Sequence, residues 1–159
     1  MKIRISNRNK RFKIKKMPIK QLCRCVLKEE LNDLDCELDI TIVSNEEIAR
    51  LNEQYLQHEG ATDVLSFPQI EQKKTVLLNS QLGDIVVSSD MAFEQSKTYS
   101  NTFNQEFGLY IIHGILHLLG YDDREESDKL IMETKQEIWF NTLVKKNDME
   151  FICHNKKGG

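Results

Sequence analysis

Apolar and polar residues alternate in some segments of the chain and recur at helical spacing in others. Alternation predicts strands at residues 1–6 and 38–42, and residues 64–67 predict a short strand that Pro68 stops. Residues 84–88 contain three consecutive apolar side chains, a pattern typical of a strand covered on both faces. The alternating segments therefore predict a small sheet of about four strands.

Helical spacing of apolar residues follows Pro18, and Ser44 with Glu47 forms a predicted capping box for a second helix. Further helical patterns cover residues 90–99, 104–119 and 125–146. Strands and helices interleave, which predicts one α/β or α+β domain with a small sheet packed against about five helices. We assign residues 1–150 to this domain and residues 151–159 to a C-terminal tail.

The segment 107–120 is apolar nearly all round, as expected of a central buried helix, yet it contains two histidines. His113 and His117 are four residues apart, so both imidazoles leave the same face of the helix. This geometry suits two ligands of one metal ion, with Zn²⁺ preferred and Ni²⁺ or Cu²⁺ as alternatives. The competing interpretation is two core histidines that hydrogen bonds satisfy.

A third ligand can follow the helix directly. Gly120 is placed to end the helix in a left-handed conformation, after which Asp123 can return toward the metal. His113, His117 and Asp123 would leave a fourth position open, the mark of a catalytic zinc site. Gly114 stands where the peptidase pattern His-Glu-x-x-His has its glutamate, which disfavours a metalloprotease.

Composition indicates the cellular location of the protein and the kinds of site that its cysteines and basic residues can form. No apolar run is long enough to span a membrane and no secretory signal is apparent, so we expect a cytoplasmic protein. The four cysteines form no C-x-x-C pair, which argues against a zinc ribbon or a thioredoxin motif. Residues 1–28 carry half of the 22 basic residues and no acidic one, so they form either an RNA-binding face or a solvated basic surface.

Three blocks of the sequence resemble the YbeY family of endoribonucleases. They are HGILHLLGYDD at residues 113–123, TDVLSFP at residues 62–68 and LGDIVVS at residues 82–88. Their order and spacing also fit the family, so the resemblance covers roughly residues 35–145. It implies an α+β fold and one zinc ion. It also implies a cytoplasmic endoribonuclease that acts on single-stranded RNA in maturation of the 16S rRNA 3′ end and in ribosome quality control. Its expected partners are ribosomal RNA and small-subunit assembly intermediates, with no DNA and no membrane.

Two positions depart from the family pattern. Asp123 stands where the family has its third histidine, and Leu56 stands where the family has an arginine thought to serve catalysis. A carboxylate can still bind zinc, whereas leucine cannot stabilise charge on a phosphoryl group. These departures keep a second function open, a zinc-binding ribosome-assembly factor with weak or no nuclease activity. A metal hydrolase of another substrate, such as a peptide, is the third alternative.

Overall fold

The structure is a computed structural model that describes residues 1–69 and 80–153. Its strands are β1 (Lys2–Asn7), β2 (Cys36–Val43), β3 (Val64–Pro68) and β4 (Ser80–Ser88). Its helices are α1 (Lys16–Glu30), α2 (Asn45–Leu56), α3 (Ser89–Thr98), α4 (Phe103–Leu118) and α5 (Glu126–Trp139), and α5 continues into a π-helical segment, Phe140–Lys145. The predicted α+β domain with a four-stranded sheet and five helices is confirmed.

The sheet is mixed and has the strand order β1-β2-β4-β3. Strands β1, β2 and β4 run parallel, and β3 pairs antiparallel with β4 at one edge. The apolar run Ile85–Val87 lies in β4, where all three residues are buried, as the unbroken pattern predicted. Central placement of β4 therefore brings β3 and the end of β2 together around one strand.

A large core fills the space between one face of the sheet and helices α1 and α4, while α2 covers part of the opposite face. Helix α4 approaches the sheet closely at Gly114. A Cβ atom at this position would lie 3.1 Å from Cγ2 of Ile85 and 3.2 Å from Cγ2 of Val64. Gly83 in β4 has φ +152° and sits against the carbonyl of Phe67 and the side chain of Leu118. The absence of side chains at these two glycines lets α4 lie directly on β3 and β4.

One predicted capping box forms only in half. Ser44 Oγ accepts a hydrogen bond from the Glu47 amide at 3.3 Å, which begins α2 as predicted. The Glu47 carboxylate, however, pairs with Arg8 Nη2 at 2.8 Å. The competing partner comes from the segment after β1, so local sequence could not reveal it.

The fold extends beyond residue 150, the predicted end of the domain. Phe151 is fully buried in the main core, and Ile152 pairs with Ile14 in an isolated antiparallel bridge. The Cys153 amide donates to the carbonyl of Lys13 at 2.8 Å. Residues 151–153 thus pack onto the segment before α1, because burial of Phe151 offsets the cost of ordering them. Residues 154–159 of the predicted tail lie outside the described residues.

Within residues 1–69 and 80–153, no helix combines the length and the apolar character needed to cross a membrane.

Candidate metal centre

Both ends of α4 are held by specific hydrogen bonds. At the start, Thr102 Oγ1 accepts from the Gln105 amide at 3.1 Å, and Gln105 Oε1 accepts from the Thr102 amide at 3.0 Å. At the end, Gly120 adopts φ +97°, and the Tyr121 amide donates to the carbonyl of Leu116 at 3.0 Å. This is the glycine-terminated turn predicted for residue 120. The register of α4, and with it the direction of its histidines, is therefore fixed at both ends.

His113 and His117 lie side by side on α4, as their spacing predicted. Their ring centroids are 4.7 Å apart, with an angle of 74° between the ring planes. Both residues are half-buried, so the imidazoles do not belong to the closed core. Two imidazoles in this arrangement are suitable donors for one transition-metal ion.

Gln136 on α5 orients the first imidazole. Its Oε1 lies 2.6 Å from Nδ1 of His113, and an amide oxygen accepts a hydrogen bond only from a protonated ring nitrogen. The Nε2 atom of His113 is therefore left with its lone pair available for a metal. Gln136 was missed in the sequence, although it follows Met132, the buried residue of α5, by one helical turn. That spacing was the available signal.

We expect Gln136→Ala to weaken Zn²⁺ binding by roughly 10- to 100-fold, because loss of the acceptor frees the His113 ring to turn and change tautomer. The measurement is a competition titration with a chromogenic chelator. Glu137→Ala is the matched control, since Glu137 is the exposed neighbour on the same helix. Equal affinities for the Gln136→Ala variant and the wild type would show that Gln136 does not orient a ligand.

His117 is poised to be neutral. Burial lowers the pKa of His117, and the nearby His113 lowers it further, while Asp123 and Asp122 partly oppose both effects. Among the described residues, no hydrogen bond fixes its ring. Because a metal binds neutral imidazole, the lowered pKa favours the ligating form of His117 at neutral pH.

Asp123 does not join the histidine pair in this structure. Asp123 is exposed. The described part of the chain contains no group of three or more His, Cys, Asp or Glu side chains arranged to hold a metal. The neighbouring Asp122 uses Oδ1 to accept from the Arg124 amide at 3.1 Å, which shapes the turn. Ligation by Asp123 therefore stays a prediction that requires its carboxylate to turn toward the pair.

A buried carboxylate beneath this turn was not predicted as important. The Glu30 side chain is 1% exposed and accepts hydrogen bonds from Tyr121 Oη at 3.0 Å, Lys135 Nζ at 2.9 Å and Trp139 Nε1 at 3.1 Å. Burial raises the pKa of Glu30, but the three donors outweigh it and hold the pKa below its usual value. Glu30 thereby ties α1 to the turn after α4 and to α5, which carries Gln136.

The basic segment 1–28 is partly neutralised by folding. Within the described residues, five of its cationic side chains form ion pairs, namely Arg4, Arg8, Arg11, Lys15 and Lys28. On α1, Lys16, Lys20 and Arg24 follow one another at four-residue spacing and form no ion pair within the described residues. The charge left for an anionic partner is therefore smaller than the composition suggested, and about half of it lies along α1.

Comparison with known proteins identifies the family. The family model described as Endoribonuclease YbeY matches residues 4–144. The chain belongs to the YbeY family. A relative from Finegoldia magna, described as Endoribonuclease YbeY, is 36% identical over 154 residues, which cover 95% of this chain and 99% of the relative. An Alkaliphilus metalliredigens relative with the same description is 37% identical over 139 residues, which cover 84% of this chain and 90% of the relative.

The fold agrees with this assignment. The solution structure of TM1509 from Thermotoga maritima matches with a TM-score of 0.65 at 29% identity, over 99% of both chains. The family and its relatives are described as endoribonucleases, which are hydrolases that act on RNA phosphodiester bonds. The predicted enzyme class is therefore confirmed.

The other two sequence blocks, at residues 62–68 and 82–88, lie largely in β3 and β4, which pack against α4. Ser66 in β3 donates a hydrogen bond from Oγ to the carbonyl of Gly114 at 3.1 Å, so it fastens the strand to the helix between the two histidines. Leu56, where the sequence resemblance implied an arginine, ends α2 and is 43% exposed. The Ser66 bond and the close approach at Gly114 thus fasten the histidine-bearing helix to β3 and β4.

Proposed function

We propose that the protein is a zinc-dependent endoribonuclease that cleaves single-stranded RNA. The proposed zinc ligands are His113, His117 and Asp123. The proposed biological role is maturation of the 16S rRNA 3′ end and ribosome quality control. The observation that carries the proposal is the hydrogen bond from His113 Nδ1 to Gln136, which leaves the Nε2 lone pair of His113 available beside the neighbouring His117 ring. An imidazole whose Nδ1 proton is held by a fixed acceptor is the usual arrangement of a metal ligand. A pair of satisfied core histidines is disfavoured because both residues are only half-buried and, among the described residues, no hydrogen bond holds the His117 ring.

The donor set fits zinc, which two imidazoles and one carboxylate bind with a fourth position left open. Bound there, Zn²⁺ supplies Lewis acidity to a phosphodiester and lowers the pKa of a water molecule. The chain itself contributes orientation, through Gln136 on His113 and through the buried Glu30 beneath the turn that carries Asp123. Lys16, Lys20 and Arg24, which follow one another at four-residue spacing on α1, offer a cationic edge for the RNA backbone.

Ribosomal RNA and small-subunit assembly intermediates are the proposed partners, which places the activity in the cytoplasm. No membrane partner is proposed, and DNA is not proposed as a substrate.

A second candidate, a zinc-binding ribosome-assembly factor with little nuclease activity, is favoured by one observation. Leu56 removes the cation that would stabilise charge on the transferring phosphoryl group, a contribution that is often among the largest in catalysis. Single-turnover cleavage of labelled single-stranded RNA separates the two candidates. The nuclease should lose cleavage with chelator and regain it with Zn²⁺. Protein that holds one zinc per chain and leaves RNA intact would be the assembly factor.

Ligation by Asp123 predicts a specific change in metal affinity. Asp123→Ala should weaken Zn²⁺ binding at least about 100-fold, because loss of a ligand exceeds the roughly 10- to 100-fold effect of losing an outer hydrogen bond. Asp122→Ala is the matched control, because Asp122 precedes Asp123 in the same turn. Chelator competition measures both variants. A larger loss in the Asp122→Ala variant would transfer the ligand role to Asp122.

A further inference from the structure

A polar cavity of about 400 Å³ lies beside the N-terminal half of α4, near the end of α3 and the start of β3. Glu106 and Tyr110 line it, and they precede His113 by seven and three residues, so the three side chains leave α4 on the same side. The helical rise places Tyr110 about 5 Å and Glu106 about 10 Å from His113 along the axis. The cavity and the histidine pair therefore adjoin along one face of α4.

The wall of this cavity is acidic. It contains the carboxylates of Asp63 and Glu106, and its described lining includes no lysine or arginine. Glu106 is 6% exposed, and its Oε1 accepts from Nδ2 of Asn101 at 3.0 Å, which fixes the carboxylate in place. Such a wall repels phosphate and attracts a ligand that presents N–H donors.

Asp63 has one oxygen engaged and one available. Its Oδ1 accepts from the Val64 amide at 2.7 Å and from Oγ1 of Thr62 at 3.4 Å. Within the described residues, no donor reaches its Oδ2 atom. The bond to Val64 holds the carboxylate at the start of β3, so Oδ2 can serve as a positioned acceptor at the cavity.

Tyr99 supplies an aromatic surface at the cavity. It follows the last residue of α3 and is 64% exposed, although an aromatic ring of this size gains by being covered. Nucleobases stack on exposed aromatic rings of this kind in proteins that bind single-stranded RNA. An aromatic ring beside carboxylate acceptors combines a stacking surface with hydrogen-bond selection.

We propose that this cavity binds one nucleobase of the RNA chain, next to the phosphate at the histidine pair, and selects a base with an exocyclic amino group. The base stacks on Tyr99 and donates its amino N–H to Asp63, as carboxylates accept from the N4 amino group of cytosine. The inference rests on the proposed function, because it assumes that RNA lies along α4. It assigns sequence preference to a position away from the metal.

The test is equilibrium binding of labelled oligocytidylate and oligouridylate to the protein as purified, by fluorescence anisotropy, with intact RNA verified by gel. Wild type should prefer oligocytidylate. Tyr99→Ala should weaken binding of both oligonucleotides about ten-fold through loss of stacking. Tyr55→Ala is the matched control, since Tyr55 is 59% exposed on α2, and it should bind as wild type does.

Asp63→Asn tests the selection itself. Asparagine can keep the bond to the Val64 amide through Oδ1 and replaces the free acceptor with a donor. The preference of the Asp63→Asn variant should therefore move from oligocytidylate toward oligouridylate, because O4 of uracil accepts a hydrogen bond. Equal wild-type affinities for the two oligonucleotides, or equal effects of Tyr99→Ala and Tyr55→Ala, would overturn the proposal. Base-selective binding without cleavage would sustain the cavity and refute the nuclease, and cleavage without base selection would do the reverse.

Discussion

Replacing His113 and His117 together by alanine is expected to reduce bound zinc from about one ion per chain to none and to lower RNA cleavage about 1,000-fold or more. The two imidazoles are adjacent on α4, with ring centroids 4.7 Å apart, so their loss removes the centre of the proposed site. A metal ion that contributes several kcal/mol of transition-state stabilisation accounts for a change of this size. Elemental analysis and single-turnover cleavage are the two measurements.

The control is His58→Ala, which removes an exposed histidine in the loop after α2. It should keep both metal and activity, which would show that the loss is specific to the α4 pair. Circular dichroism should show a folded double variant, because His113 and His117 lie outside the main core. Wild-type protein that carries no metal when purified without chelator, and still cleaves RNA, would contradict the prediction.

Glu30→Ala is expected to lower the free energy of unfolding by about 3 kcal/mol. The substitution removes a buried carboxylate and leaves the Tyr121, Lys135 and Trp139 donors without their acceptor. The value lies at the low end for a broken buried ion pair, because the side chain of Lys135 is 41% exposed and water can replace part of the loss. Urea unfolding at pH 7 measures it.

Glu29→Ala gives the matched comparison, since Glu29 is the exposed neighbour on α1 and should change the free energy of unfolding by less than about 0.5 kcal/mol.

The pH dependence of the free energy of unfolding provides a second test. The folded pKa of Glu30 lies below its ordinary value of 4.5, so its ionised form stabilises the fold above that pH. The stability difference between wild type and Glu30→Gln should therefore shrink as pH falls through the folded pKa. A difference that grows in acid would mean that Glu30 is protonated in the fold.

The elements that local pattern controls were predictable. Gly120 ended α4 as expected because a glycine in a left-handed turn is a local event, and the four-residue spacing placed His113 beside His117 for the same reason. The contacts that orient the site were not predictable in this way. Gln136 meets His113 across 23 residues and Lys135 meets Glu30 across 105, so both contacts depend on how whole helices pack.

Neither local sequence pattern nor the packing of whole helices fixes the position of Asp123 relative to the histidine pair. Its distance from the histidine pair depends on the conformation of a short exposed turn, in which Asp122 already bonds to the Arg124 amide. The cavity beside α4 was also invisible in the sequence. Asp63 and Glu106 are 43 residues apart, and only the packing of α4 against β3 brings both to one wall.

The close contact of Gly114 with the sheet has an evolutionary consequence. In a peptidase helix, the residue after the first histidine is the glutamate that acts as base. Here a Cβ atom at that position would lie 3.1 Å from Cγ2 of Ile85 and 3.2 Å from Cγ2 of Val64, so both side chains would have to shift. A glutamate at residue 114 would therefore have to displace packing between α4 and the sheet before it could act as a base. The contact that seats the histidines against the sheet thus opposes the shortest mutational route to a peptidase helix.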